Sequence, residues 1–252
     1  MKKLEIISEI GINHNGDFRR IEELIRQSKA GGADYAKFQV YDSQKVFGDD
    51  SRAHNEFTYD ELAITAEMCD VYGIEFMASV FDIEKFEWCE DLKMKSYKIA
   101  SRTIANLLDK DDKHLIESII KTGKPVIISL GMWEGNTLPY SAYPNVRYMN
   151  CISNYPTMYQ HFKRFQYDTK KVGYSDHACG ISYALFNIAE GASIIEKHFT
   201  LNKGMDGNDH IGSMDVNELK LLREYGQELC TINAILPDRE ISINDVISKS
   251  KF

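Results

Sequence analysis

Eight short apolar runs alternate with amphipathic segments along the chain. The runs are rich in β-branched and aromatic residues and span residues 4–10, 35–40, 75–80, 96–101, 125–130, 147–153, 171–176 and 193–199. Between most of them, apolar positions recur with the 3.6-residue period of a helix, over residues 19–30, 59–72, 83–92, 107–122, 180–190 and 216–235. Strict alternation of strands and helices predicts parallel strands joined by helical crossovers.

The length of the chain favours a closed barrel over an open sheet. Dividing 252 residues by eight strand–helix units gives about 31 residues per unit, which matches a (β/α)8 TIM barrel of about 250 residues. Residues 131–145 contain too much Gly and Pro for a full helix, and the join after residue 153 has room for at most a short helix near 161–165. We therefore predict an α/β fold: a near-minimal (β/α)8 TIM barrel with a reduced or missing helix after strand five.

The composition of the chain argues against nucleic acid and membranes as partners and favours a cytoplasmic location. The net charge of −8 and the absence of a basic run argue against nucleic-acid binding. No apolar stretch approaches the roughly 20 residues that cross a bilayer, and Glu5 and Glu9 interrupt the first apolar run, so we expect neither a signal peptide nor a membrane anchor. Five scattered cysteines without a C-x-x-C pair indicate reduced thiols and a cytoplasmic protein.

No linker rich in Pro, Gly or Ser divides the chain, so we expect one domain over residues 1–252.

Polar residues stand at the carboxyl ends of every predicted strand except the fifth, where barrel enzymes carry their chemistry. They include Glu9, Lys37, Gln39, Ser79, Lys98, Ser101, Ser153, Tyr155, Ser175, Asp176, His177, Glu196 and His198. Lys37 and Lys98 occupy equivalent positions of two strands, next to hydroxyl and amide donors. This arrangement predicts an anion cradle, most simply for a phosphate, and the alternative is a pair of surface lysines.

Two histidines suggest a metal site. His177 and His198 are 21 residues apart, one strand–helix unit, so their imidazoles are predicted to lie side by side. Two histidines without a carboxylate would leave coordination positions for water and a substrate oxygen, whereas structural histidines are the equal alternative. Asp176 and Glu196 are expected to orient the imidazoles. His14, in the G-I-N-H-N-G segment, either lines the site or satisfies its own loop.

Seven motifs together resemble one enzyme family. They are E-I-G-I-N-H-N-G at 9–16, K-F-Q at 37–39, Y-K-I-A-S at 97–101, S-L-G-M at 129–132, N-Y-P-T at 154–157, G-Y-S-D-H at 173–177 and E-K-H-F-T at 196–200. In order and spacing they resemble the catalytic barrel of the sialic acid (N-acetylneuraminate) synthases, from about residue 5 to residue 215. Those enzymes condense phosphoenolpyruvate with N-acetylmannosamine or a related amino sugar.

The resemblance implies a role for each matching residue. The positions that match the binding site for the phosphate and carboxylate of phosphoenolpyruvate are Lys37, Ser79, Lys98, Ser101, Ser153, Tyr155 and Ser175. The matching metal ligands are His177 and His198, with Mn²⁺ as the first expectation and Mg²⁺ or Co²⁺ as alternatives. Acidic residues beside the reacting groups correspond to Glu9 and Glu196, and contacts to the acceptor sugar correspond to Gln39 and Asp209. Ser79 and Ser153 stand where relatives often have Thr and Asn, and both keep a hydroxyl.

The implied reaction joins C3 of phosphoenolpyruvate to the aldehyde carbon of an aldose, adds water at C2 and releases phosphate. The product is a 2-keto-3-deoxy sugar acid for surface-glycan precursors. Family synthases continue into a small antifreeze-like domain that reaches across a dimer to the N-acyl group of the substrate, whereas this sequence ends near residue 252. We expect a separate partner protein to supply that contact, or an acceptor that lacks an N-acyl group or is held differently. The resemblance also implies a homodimer, without the domain-swapped contact.

Two other functions stay open from the sequence. A Schiff-base aldolase would use Lys37 or Lys98 as its nucleophile, since barrels often host such lysines. A non-catalytic barrel would bind phosphoenolpyruvate or a sugar and would need or regulate a partner protein. Retention of both histidines and both lysines favours the synthase.

Overall fold

Eight parallel strands close into a barrel in sequence order in the computed structural model, which describes residues 3–235. The strands are β1 (Glu5–Gly11), β2 (Tyr35–Val40), β3 (Glu75–Val80), β4 (Tyr97–Ile99), β5 (Val126–Ser129), β6 (Val146–Cys151), β7 (Lys171–Asp176) and β8 (Ile194–His198). β1 pairs with both β2 and β8, so the sheet has no free edge. The predicted α/β barrel is therefore confirmed.

Eight α-helices accompany the strands in the described part of the chain. They are α1 (Phe18–Ala30), α2 (Ser43–Phe47), α3 (Tyr59–Tyr72), α4 (Ile83–Asp91), α5 (Ser101–Ala105), α6 (Lys110–Lys121), α7 (Ser182–Ala189) and α8 (Val216–Ile235). The helix predicted from residue 107 begins instead at Lys110, because the Asp109 side chain accepts hydrogen bonds from the first-turn amides of Asp111 and Asp112. The short helices α2 and α5 were not predicted, since five residues are too few to show a period.

The connections after β5 and β6 lack α-helices within residues 3–235, which confirms the reduced helix expected after strand five. Residues 130–145 form a loop, and the β6–β7 connection contains only a 3₁₀ turn, Tyr159–His161. The outward faces of these strands are nevertheless buried. The Tyr148 hydroxyl donates to the Pro139 carbonyl at 2.6 Å, and the Phe162 ring stacks on the Tyr183 ring with centroids 3.8 Å apart. Loop residues thus cover the sheet where helices are absent.

The barrel interior is apolar towards one end and polar towards the other. Side chains inside the barrel form a cluster separate from the larger sheet–helix core, and its members are Ile7, Met77, Ile127, Met149, Val172 and Ile194. Towards the carboxyl ends of the strands the inward positions become charged or hydroxylated. This polar end is where the site predicted from the sequence must lie.

Two expectations from the sequence concern membrane-spanning helices and further domains. None of the helices within residues 3–235 is long and apolar enough to cross a membrane. Residues 236–252 fall outside the described residues, so the expected absence of a further domain stays a prediction there.

The loop that replaces a helix after β5 gives a first prediction. Tyr148→Phe removes the buried hydroxyl that donates to the Pro139 carbonyl, which would leave that carbonyl without its donor. We expect the free energy of unfolding, measured by urea denaturation, to fall by about 1–2 kcal/mol. Tyr143→Phe is the matched control in the same loop, because Tyr143 is exposed, and its cost should stay below about 0.5 kcal/mol. Equal losses of unfolding free energy in the two variants would contradict a stabilising role for the hydrogen bond between Tyr148 and Pro139.

Candidate active site

Four charged side chains meet inside the polar end of the barrel. The Lys37 ammonium lies 2.6 Å from a Glu9 carboxylate oxygen and 3.6 Å from a Glu196 oxygen. The Lys98 ammonium lies 3.2 Å from the other Glu196 oxygen. All four side chains are buried, and together they form a continuous chain of alternating charge, Glu9–Lys37–Glu196–Lys98, contributed by β1, β2, β8 and β4.

Serine hydroxyls from three further strands complete this cluster. Ser79 on β3 accepts from the Lys37 ammonium at 3.0 Å, and Ser129 on β5 accepts from the Lys98 ammonium at 2.6 Å. Ser175 on β7 donates to Glu196 at 2.7 Å. Because Ser79 and Ser129 accept from lysines, their own hydrogens are left to donate to an anion.

The pairing keeps the buried charges ionised. Burial opposes the charged form of Lys37, but the carboxylates of Glu196 and Glu9 outweigh it and raise the pKa of its ammonium. Burial likewise opposes the charge of Glu196, and the ammonium groups of Lys37 and Lys98 outweigh it and lower the pKa of that carboxyl. The charged forms of Lys37 and Glu196 are therefore favoured by their partners, and removing one partner would leave a buried charge uncompensated.

A second group of predicted residues lies above this cluster, at the mouth. Gln39 donates to Glu9 at 3.0 Å, and the Ser101 hydroxyl accepts from the Gly131 amide at 3.2 Å. The half-exposed Tyr155 ring lies 4.1 Å, centroid to centroid, from the His177 ring. These side chains lie between the buried charges and the solvent.

Two connected cavities surround these residues. An inner chamber of about 60 Å³ is lined by the charged cluster, and a vestibule of about 1790 Å³ opens above it. Gln39, Ser101, Tyr155 and His198 line both cavities, so the chamber opens into the vestibule. Ser153 and Asp209 line the vestibule only. The difference in volume fits a small anion inside and a larger molecule at the mouth.

The two histidines lie side by side, as predicted, with ring centroids 5.7 Å apart. His177 Nδ1 donates to the Ile152 carbonyl at 2.9 Å, which fixes the tautomer and leaves Nε2 with its lone pair. Burial lowers the pKa of His177 to about 3, so the ring is neutral. His198 Nδ1 is buried without a hydrogen-bond partner and lies 3.9 Å from an Asp209 oxygen.

These features fit a divalent cation with open coordination positions. A neutral imidazole oriented by a backbone carbonyl and a buried nitrogen without a partner are what a metal-binding histidine pair requires. No set of three or more His, Cys, Asp or Glu side chains within residues 3–235 forms a complete cation site. Two imidazoles would thus need ligands from water or substrate.

The prediction that Asp176 and Glu196 orient the two imidazoles was wrong. Asp176 binds Lys197 and the Ala178 amide, and Glu196 is occupied by the two lysines and Ser175. The strand alternation explains the error for Asp176, because it and its neighbour Ser175 point to opposite faces of the barrel wall. The imidazoles contact a backbone carbonyl and a loop carboxylate instead.

Two residues with side chains that can form hydrogen bonds, Ser129 and Cys151, line the chamber without having been predicted from the sequence. Strand five was expected to contribute nothing, yet Ser129 binds Lys98, and its position at the carboxyl end of that strand was a usable signal. Cys151 lines the chamber 3.7 Å from His177 Nδ1, and burial raises the pKa of its thiol to about 11. A cysteine in an apolar strand carries no sequence signal of this kind.

The G-I-N-H-N-G segment has a positioning role. Asn13 donates to the Phe199 carbonyl at 2.8 Å, and Asn15 donates to the Asp206 carbonyl at 2.8 Å. Both bonds tie the loop after β1 to the loop after β8, which carries Asp209. Two asparagines at this spacing therefore fix one wall of the vestibule.

His14 belongs to the same loop but lines neither cavity. Its Nδ1 accepts from the Gly16 amide at 3.3 Å, and its ring packs against Phe57 with centroids 5.1 Å apart. Burial lowers its pKa from 6.5 to about 4. Of the two interpretations of His14, the structure supports the histidine that satisfies its own loop.

The low pKa of His14 predicts a pH-dependent stability. Between pH 4 and 6.5 the unfolded chain binds a proton at this ring that the folded chain does not, so stability falls as the pH drops through this window. Acidification from pH 8 to pH 5 should cost wild type about 2 kcal/mol more unfolding free energy than His14→Gln. His114→Gln, an exposed control, should keep the wild-type loss. Identical losses in wild type and His14→Gln would refute the assignment.

Comparison with known proteins places this site in a family context. The model of the NeuB family matches residues 24–234. N,N'-diacetyllegionaminic acid synthase of Campylobacter jejuni is 31% identical over 259 residues, which cover 88% of this chain and 75% of that protein. Human N-acetylneuraminate-9-phosphate synthase is 30% identical over 281 residues, which cover 97% of this chain and 76% of that protein.

A solved structure agrees with these matches. The N-acetylneuraminic acid (sialic acid) synthetase of Leptospira borgpetersenii, solved in complex with citrate, superposes with a TM-score of 0.79 at 26% identity. The superposition covers 98% of this chain and 91% of that one. The family model spans most of the barrel, including both lysines and both histidines. The chain therefore belongs to the NeuB family, whose named members here are synthases of sialic acid and related sugar acids.

Proposed function

We propose that this protein condenses phosphoenolpyruvate with an aldose in a reaction that depends on a divalent cation and releases phosphate. The product is a 2-keto-3-deoxy sugar acid used for surface-glycan precursors in the cytoplasm. The observation that carries the proposal is the convergence of Lys37 and Lys98, from two different strands, on one small chamber with hydroxyl groups. The relatives described above are named as synthases of sialic acid and related sugar acids, and this supports a condensation reaction as the reaction class.

The chamber supports phosphoenolpyruvate as the inner substrate. Its two lysines and two glutamates already pair with one another, so an incoming trianion needs further donors. The hydroxyl hydrogens of Ser79 and Ser129 are available because their oxygens accept from lysines. Ser101, Ser153 and Tyr155 extend the same donor set towards the mouth. Lysine and hydroxyl donors in a dry chamber bind phosphate and carboxylate oxygens strongly.

The vestibule supports an aldose as the outer substrate. Gln39 and Asp209 face it, and both are polar groups that can bind sugar hydroxyls. Tyr155 gives it an aromatic wall next to the histidines. The acceptor would enter last and place its aldehyde above the inner substrate.

His177 and His198 would hold the cation, most simply Mn²⁺. A bound divalent ion supplies Lewis-acid polarisation of the aldehyde carbonyl. The neutral ring of His177 and the unpartnered Nδ1 of His198 support this role. Mg²⁺ and Co²⁺ are alternatives, since imidazole and oxygen ligands accept several ions.

The remaining residues would manage charge and protons. C3 of phosphoenolpyruvate forms a bond to the aldehyde carbon, whose oxygen takes up a proton to become a hydroxyl. The oxygen of water adds at C2 with loss of one proton, and the C2–O bond to phosphate then breaks to leave a ketone, while the second water proton goes to the departing phosphate. Glu9, 2.6 Å from Lys37, is placed to take the proton of the water. Lys37 and Lys98 offset the charge on the departing phosphate, and Glu196 holds both ammonium groups in position.

Phosphate release tests the proposal directly. With Mn²⁺ and phosphoenolpyruvate, we expect acceptor-dependent release with one class from a panel of N-acetylmannosamine, its 6-phosphate, diacetamido sugars and plain aldoses. His177→Ala should abolish it. Lys98→Gln should lower kcat/KM at least about 100-fold, because it removes a cation that offsets charge on the inner substrate. Lys121→Gln, on the exposed face of α6, is the control and should match wild type.

The opposite result would favour a different function. Absence of release across the panel, with phosphoenolpyruvate binding still detected by calorimetry, would support the non-catalytic barrel that needs a partner protein. Release that persists in His177→Ala would contradict the role given to the histidines.

A trapping experiment separates the synthase from a Schiff-base aldolase. Incubation with pyruvate and borohydride should leave the mass of the protein unchanged, because both lysine side chains are engaged by buried carboxylates and are not free amines. The pKa of Lys37 is raised, which strengthens this expectation. A mass increase that disappears in Lys37→Gln or Lys98→Gln would establish the aldolase instead.

A further inference from the structure

A second buried ion pair lies behind the histidines and plays no part in the chemistry proposed above. The Lys197 ammonium lies 2.9 Å from an Asp176 oxygen, and neither side chain is exposed to solvent. The other Asp176 oxygen accepts from the Ala178 amide at 3.1 Å, and Lys197 also donates to the Ala178 carbonyl at 2.5 Å. The pair therefore closes around one residue, His177, which lies between Asp176 and Ala178.

The same pair also holds the other histidine. Lys197 directly precedes His198, and Asp176 and Lys197 are register partners in the β7–β8 ladder. One ammonium group thus connects the residues on both sides of His177 to the residue before His198. The two strand ends that carry the imidazoles are tied together on the face of the sheet opposite to the chamber.

Stability alone is a weak reason for this arrangement. Two fully buried charges cost several kcal/mol of desolvation each, and apolar residues of similar size often serve stability as well or better. The rest of the outward face near these strands is built from apolar residues, such as Tyr174, Ile195 and Phe199. An ion pair differs from such packing in fixing direction and distance through hydrogen bonds.

We propose that Lys197 and Asp176 are positioning residues that hold His177 and His198 at the spacing at which both bind one divalent cation. The inference rests on the proposed function, because it assumes that the two imidazoles share a cation. Asp176 and Lys197 line the chamber, but their charged groups are fully buried and, by strand alternation, point away from the side of Ser175 and Glu196. Each therefore acts through the backbone of its neighbours. The pair sets the geometry of the cation site from behind the strands.

The test compares cation affinity with stability in one double variant. Asp176→Asn with Lys197→Met replaces the pair by residues of similar size and keeps an acceptor for the Ala178 amide. Mn²⁺ affinity is measured by electron paramagnetic resonance of the free ion, without substrates. The expected result is a melting temperature near that of wild type and a Kd for Mn²⁺ raised about 10–100-fold, the effect typical of losing groups that orient metal ligands.

A matched control alters an ion pair at the other end of the barrel. Lys124 and Glu90 lie 2.6 Å apart there, and Lys124→Met with Glu90→Gln should leave the Kd for Mn²⁺ unchanged. If the first double variant does not fold, Asp176→Asn alone keeps the side-chain shape and removes the negative charge. It should raise the Kd roughly tenfold.

The outcomes separate this inference from the proposed function. A wild-type Kd in the folded Asp176 and Lys197 variants would overturn the positioning role and leave the proposed cation site intact. Wild-type protein that binds no Mn²⁺, like His177→Ala, would overturn both. A raised Kd with preserved melting temperature would support the positioning role, because a merely structural pair would change stability instead.

Discussion

The closed hydrogen-bonded ladder of eight parallel strands is the constraint on which the rest of the molecule depends. A closed ladder gives every strand one face towards the surrounding helices or loops and one face inside the barrel. A charged side chain near the carboxyl end of a strand is therefore buried, and it is stable there only beside a partner of opposite charge. The chain from Glu9 to Lys98 inside the barrel and the Lys197–Asp176 pair outside it are the two solutions that this protein contains on neighbouring strands.

The two solutions have different consequences. The inner chain has serine hydroxyls and open space beside it, so its charges can bind an anion that enters the chamber. The outer pair has no solvent-exposed side-chain surface, and its charged groups bind each other and the amide and carbonyl of Ala178. The chemistry proposed for the inner face of the sheet and the positioning role proposed for the outer face thus both follow from the two-residue alternation along β7 and β8.

Loops cover the outer face of the barrel after β5 and β6, where the described part of the chain has no α-helix. After β5 and β6, aromatic side chains and a buried tyrosine hydroxyl cover the strands without a regular helix. The loop after β6 also carries Tyr155 to the mouth, next to the histidines. A loop that packs through a few aromatic contacts can thus protect the core and form part of the vestibule wall, so the family fold keeps its site with fewer helices.

The sequence by itself determined the barrel, the strands and most of the polar layer, because period-two and period-3.6 patterns are local and strand ends in a barrel converge on one edge. It therefore placed Lys37, Lys98, His177 and His198 together correctly. Only the tertiary structure decided which charge pairs with which, because partners such as Glu196 and Lys98 are remote in sequence and meet through closure of the sheet. Closure likewise decided that Asp176 turns away from the histidines towards Lys197, and that Ser129 of the fifth strand joins the site.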